Sequence, residues 1–285
     1  MREHTGLWGK LYLGLILLLL YLPILVVVIY SFNASKSSAA FSGFTLDWYK
    51  SLLSSSKYIG PLRNSLLAAG LSVGGAAVIG TLAAVGTASR AFKTKGVFES
   101  VAMIPIMIPE IILGLALLSV FGLAKVPMGM TAIILGHITF CIPYIYLVVR
   151  GRLRGIDKSV LEAARDLGAS PLRTFFTITV PLLAPAIGGG CLLAFAMSFD
   201  DVIISFFLSA PGSDMLPVKV YSSLKLGLTP EINALFTLML LALLVLLAAG
   251  LCAAAIYRRA AGSACSQTTG GARSQTLEGL ESKGA

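Results

Sequence analysis

EAARDLGASPLRTFFTITVP, residues 162–181, places two carboxylates and two arginines in a chain that is otherwise mostly apolar. Its neighbours carry helix punctuation. Ser159-Val160-Leu161-Glu162 has the form of a capping box, in which the Ser hydroxyl accepts the Glu162 amide and the Glu carboxylate reaches back to the Ser amide. Gly168 stands where a left-handed helix C-terminus belongs. Ser170-Pro171 then restarts a helix, with Ser as N-cap and Pro at the first helical position. The stretch predicts two short helices joined at a Gly-centred turn, ended by Pro181 at the start of the next apolar run. Val160, Ala163, Ala164 and Leu167 share one face at helical spacing. The small alanines leave that face shallow enough for a partner to cover closely.

The rest of the chain explains why a polar insertion stands out. Of 285 residues, 56% are hydrophobic and 12% charged. A soluble domain carries about 25% charged residues, so this composition cannot cover a globule with polar surface. It predicts an all-α, polytopic membrane protein. Runs long enough to cross a bilayer fall at 11–31, 65–88, 98–123, 130–149, 181–208 and 234–257, about six spans. The first has basic flanks and no small-residue cleavage site, and reads as an uncleaved anchor. The second has Gly70 and Gly74 at GxxxG spacing, which predicts close helix packing. The third is interrupted by Pro105 and Pro109.

The net charge of +9 reports orientation rather than nucleic acid, because the basic residues sit between apolar runs. With the N-terminus inside, 15 of the 22 Lys and Arg residues fall on the cytoplasmic side. Both termini are therefore expected in the cytoplasm, and residues 162–181 with them. The domain plan is a cytoplasmic N-terminus (1–10), a membrane domain (11–257) with a cytoplasmic loop at 150–180, and a disordered tail (258–285) rich in Gly, Ser, Thr and Gln. WYKSLL in the first outside loop predicts a short surface helix, and 209–233 is rich in Pro, Gly and Ser. There is no internal repeat. The four cysteines and two histidines have no metal or disulfide spacing. His137, inside a span, reads as a hydrogen-bonded packing residue ahead of a proton relay.

Glu162-Ala163-Ala164, three residues, Gly168, nine residues, then Ile178-x-x-Pro181 resembles the EAA loop of ABC-importer permeases, with Val180 where that pattern has Leu. The resemblance implies the MetI-like permease fold in a prokaryotic inner membrane. It implies that the loop docks on a cytoplasmic ABC ATPase dimer, with Glu162 interacting with the ATPase, Ala163 and Ala164 packed in its cleft and Gly168 making the turn. ATP and Mg²⁺ would then belong to that partner, and this chain has no GxxxxGK[ST] loop and no cofactor of its own. A second permease subunit and an extracytoplasmic solute-binding protein are implied as further partners, and no nucleic acid.

FTLDWYKSLL resembles importer permeases for small organic cations and related solutes, and SFDDVIISFFLSAPGSDMLPVKVYSSLKLGLTPEINAL resembles permease subunits of spermidine/putrescine importers. A polyamine is an extended polycation, so its route needs carboxylates, to which aromatic faces can add. Glu110 follows Pro109 near the middle of the third run. Asp200 and Asp201 lie 19 and 20 residues past Pro181, toward the outer mouth. These three are the candidate substrate-pathway residues, with Tyr30, Tyr144, Tyr146 and Phe199 as candidate aromatic faces. Each acid also has a structural alternative: pairing or neutralisation for Glu110, capping or headgroup anchoring for the aspartates.

Two other classes compete. An intramembrane aspartyl protease needs carboxylates facing across a site, whereas Asp200 and Asp201 are adjacent and diverge by about 100° on a helix. An ion-coupled secondary transporter usually carries internal repeats and several buried charges, and it leaves the EAA pattern unexplained. A permease for another small solute remains the nearer alternative.

Overall fold

The computed structural model describes residues 7–35, 40–54, 56–88, 94–225, 227, 229–245 and 248. The helices in chain order are α1 (Leu7–Tyr30), α2 (Asp47–Ser54), α3 (Ser56–Ala88), α4 (Lys95–Met107), α5 (Glu110–Leu123), α6 (Met130–Leu153), α7 (Lys158–Asp166), α8 (Pro171–Thr174), α9 (Val180–Phe199), α10 (Ile203–Leu208) and α11 (Leu216–Lys225). A further apolar helix, α12, covers Pro230–Val245. Among the described residues the β pairing is a single antiparallel bridge between Asn33 and Phe44. Among the described residues four helical rods are long and apolar enough to cross a membrane, α1, α3, α6 and the stretch Pro171–Phe199, or five if the bent pair α4 and α5 is one span.

The chain divides into two compact units, residues 51–227 and residues 1–50 with 228–285. In the first unit α3, α6 and α9 pack on one another. Their contacts are close because small residues face large ones. A Cβ on Gly80 would lie 3.1 Å from the Ile142 carbonyl oxygen, and one on Gly75 2.8 Å from Ile138 Cδ1. Gly190 of α9 likewise approaches the Ile145 backbone. Gly70 and Gly74 meet nothing within 4 Å, so the close helix packing expected at their GxxxG spacing is found instead at Gly75 and Gly80 of the same helix. Ile133, Phe140, Ile145, Val149 and Leu183 fill the core between these helices.

The third apolar run is bent by 109° between α4 and α5. Pro105 sits inside α4 without ending it. The bend falls at Ile108 and Pro109, where Ile108 is extended at ψ 135° because a residue before proline is pushed out of the helical region. The fifth run is also divided: α9 ends at Phe199, Asp200 to Val202 form a turn, and α10 follows. α10 packs against α5 and α6. The 209–233 segment contains α11.

In the other unit, α1 is exposed over most of its length, as a helix facing lipid or a partner would be. Ile24, Val27 and Val28 line an apolar groove with Phe236, Thr237 and Leu240 of α12. The loop after α1 is ordered around Asn33, whose carbonyl accepts from Trp48 Nε1 at 2.8 Å and whose side chain accepts from the Ser42 amide at 2.9 Å. Trp48 belongs to the WYKSLL helix, α2. The sixth run is described as far as Val245; its remainder and the 258–285 tail lie outside the described residues.

Candidate functional site

The polar insertion begins one step earlier than its capping box. Helix α7 starts at Lys158, and Asp157 caps it by accepting the Ser159 amide at 3.0 Å. Ser159 is thus inside the helix, because an Asp two residues upstream captures its amide first. The Ser159 N–H holds the Asp157 carboxyl below the usual carboxylate range. At the other end Gly168 has φ +80°, and the Ala169 amide reaches the Ala164 carbonyl at 3.1 Å. That six-to-one bond, with a left-handed glycine, is a Schellman ending. Ser170 caps the next helix by accepting the Arg173 amide at 3.3 Å, with Pro171 in the first turn.

The second helix does not stop before Pro181. α8 passes through a π-helical segment, Phe175–Thr179, directly into α9. Residues Pro171–Phe199 are therefore one rod of 29 residues. Pro181 lacks an N–H but sits in the first turn of α9, where its missing donor matters little to the preceding wide turn. Around the Gly168 turn, Glu162 and Ala163 are exposed and Ala164 is buried. Leu167 is 90% exposed, and Leu172, Phe176 and Val160 are exposed with it. Exposed apolar side chains on a polar insertion are what an interaction surface offers a partner.

Glu110 and the two aspartates lie within electrostatic reach across the two helix breaks. Glu110 opens α5 directly after the Pro109 bend and is half-buried. Tyr144 of α6 lies within reach of Glu110 and is half-buried against Phe140. Asp200 is exposed; Asp201, its neighbour, is 5% exposed. The Asp201 carboxylate accepts the amides of Ile204 at 3.2 Å and Ser205 at 2.7 Å, and contacts His137 Nε2 at 3.2 Å. Phe199 stacks on Phe195, while Tyr146 is buried and turned toward Thr87 and Arg150. Tyr30 belongs to the other unit.

Two constellations have no counterpart in the sequence reading. His137 bonds residues 61 to 68 positions away, at Ser198, Asp201 and Ser205; hydrogen bonding was expected of it, but its partners were not. Arg150 pairs with Glu99 at 2.5 Å, bonds Tyr146 and Thr87, and lies over the Tyr146 ring. In the sequence Arg150 is one of the basic residues that report orientation. The available signal was the Tyr146–Arg150 spacing of four, which puts both on one helix face.

Residues 76–261 match the family described as binding-protein-dependent transport system inner membrane component. The chain is 43% identical over 228 residues to the putrescine transport system permease protein PotI of Escherichia coli (strain K12), covering 78% of this chain and 81% of that one. It is 37% identical over 230 residues to the spermidine/putrescine transport system permease protein PotC of the same organism, covering 81% and 87%. Among solved structures it resembles a chain of a bacterial ABC transporter involved in import of the acidic polysaccharide alginate. That match has a TM-score of 0.69 at 16% identity, over 87% of this chain and 97% of that one. It also resembles a chain of the MetNI methionine ABC transporter, with a TM-score of 0.57 at 20% identity, over 67% and 90%. At those identities the structural likeness speaks for the fold.

Proposed function

The chain belongs to the family of binding-protein-dependent transport system inner membrane components, and from that membership we propose that it forms half of the pore of a polyamine importer and couples to a cytoplasmic ATPase through residues 162–168. It is a multi-pass inner-membrane permease, a non-catalytic subunit of its transporter. The observation that carries the finer reading is the unbroken helix Pro171–Phe199. One end adjoins the exposed 162–168 turn and the other adjoins Asp200. Movement imposed on the turn would be delivered to the acid cluster without an intervening loop.

In this reading both termini are cytoplasmic, Glu162 contacts the ATPase, Ala163 presents a small exposed surface beside it, and Ala164 packs inside the chain to hold the Gly168 turn. A second permease completes the pore, and a solute-binding protein delivers cargo from outside. Putrescine and spermidine are flexible polycations. Glu110 and Asp200, with Asp201 behind them and Tyr144 beside Glu110, supply the opposite charge and an aromatic edge. ATP binding draws the ATPases together, the turns move with them, and the helices alternate access.

The test is uptake of labelled putrescine and spermidine by cells carrying the full-length chain in its transporter. Glu162→Lys should abolish uptake while the chain remains in the membrane, and mild-detergent purification should recover an ABC ATPase and a second permease with the parent chain. Uptake that survives deletion of the ATPase but collapses with the ion gradient would overturn the reading in favour of secondary transport. ATP-dependent uptake of a different solute, uncompeted by polyamines, would keep the class and change the cargo.

A further inference from the structure

The ring of His137 joins three helices at one point. It stands on α6 and is 2% exposed. Nδ1 lies 2.7 Å from Ser198 Oγ of α9, and Nε2 lies 3.2 Å from Asp201 Oδ2 and 3.1 Å from Ser205 Oγ of α10. The neighbouring Gly136 allows this approach: a Cβ there would sit 2.7 Å from Leu208 Cδ1. With Asp201 ionised, Nε2–H donates to the carboxylate and Nδ1 accepts the Ser198 hydroxyl. Asp201 also accepts two α10 amides, so its oxygens are spent inside the protein. Asp200, one residue earlier, is exposed.

We infer that His137 is a positioning residue that sets cargo specificity: it holds Asp201 inward, so that of the two adjacent carboxylates only Asp200 is displayed to the solute. The inference rests on the polyamine-pathway reading above. Its logic is the divergence of neighbouring residues at the end of a helix, by which fixing one inward turns the other outward. Without the imidazole the Asp201 carboxylate keeps its two α10 amides but loses the side-chain donor that faces it from α6, and a buried carboxylate short of one donor is drawn toward water. The pathway then shows an additional negative group. That change favours a triamine over a diamine, because spermidine has a third ammonium to place against it.

The experiment measures KM and maximal rate for putrescine and spermidine in cells carrying the full-length chain in its transporter. His137→Leu should move the putrescine-to-spermidine KM ratio about tenfold toward spermidine, with a smaller effect on maximal rate. His137→Gln, whose amide reaches the Nε2 position, should restore the parental ratio; His137→Asn, which replaces Nδ1 instead, should not. Asp201→Asn added to His137→Leu should also return the ratio, since no second carboxylate is then released. If His137→Leu fails to accumulate, the Gln and Asn variants decide by the same ratio. An unchanged ratio in His137→Leu and His137→Asn, while Asp200→Asn raises KM, overturns the role of His137 alone. Unchanged KM in Asp200→Asn overturns the pathway reading, and this inference with it.

Discussion

Gly168 shows how much one residue can declare in advance. Its φ of +80° is a conformation in which a Cβ is disfavoured, yet nothing lies within 4 Å of where that Cβ would be. The constraint is therefore backbone strain and not crowding. Gly168→Ala should cost about 1 kcal/mol in the turn and lower uptake severalfold, while Gly168→Asn, which tolerates the left-handed region, should lose less. Uptake normalised to membrane-inserted chain separates the two. Gly168 and Ser170-Pro171 were legible because their geometry is local. Asp157 was not, because two capping residues stood two positions apart and only the folded backbone chose between them. The partnership of His137 with Asp201 spans 64 positions, and no local signal encodes such a meeting.

At the level of the helix, the cap at Asp157 makes a pH prediction. Its carboxyl lies below the ordinary carboxylate value because the Ser159 amide favours the charged form. A lowered folded-state value means the cap's contribution is complete above roughly pH 4, the unfolded value, and is lost as pH falls through the folded one. Hydrogen exchange at the start of α7 should accelerate over that acidic window in the parent chain. Asp157→Ala should exchange rapidly throughout. The π segment Phe175–Thr179 carries a second prediction. A π turn holds one residue more than an α turn. Deleting Thr177 should therefore let the helix close as α with the 158–174 insertion kept in its present facing against α9, because the wide turn already absorbs the extra residue. Uptake should survive this deletion; its loss with membrane insertion preserved would show that the wide turn itself is needed. The sequence foretold a helix on either side of Pro181 but not their continuity, since a proline marks both first turns and breaks.

Across the whole chain, hydropathy located the apolar runs and missed how two of them break. The bend before Pro109 and the turn at Asp200 were partly visible, as a proline and as paired acids. That these breaks bring Glu110 near Asp200 is a property of packing alone. The packing itself depends on glycine at few positions. Gly80→Val should destabilise the α3–α6 contact by roughly 1–3 kcal/mol, read as a lower melting temperature in detergent, whereas Gly70→Val should melt like the parent. The rod from Pro171 to Phe199 has one more consequence. At 29 residues it is about 44 Å long. Pivoted near its middle, a tilt of some ten degrees displaces each tip by roughly 4 Å, and in opposite senses. In the coupling proposed above, such a seesaw would have no lost motion between its ends: the acidic tip would swing away as the loop tip swings in, so a single piece of backbone would set the direction of the stroke.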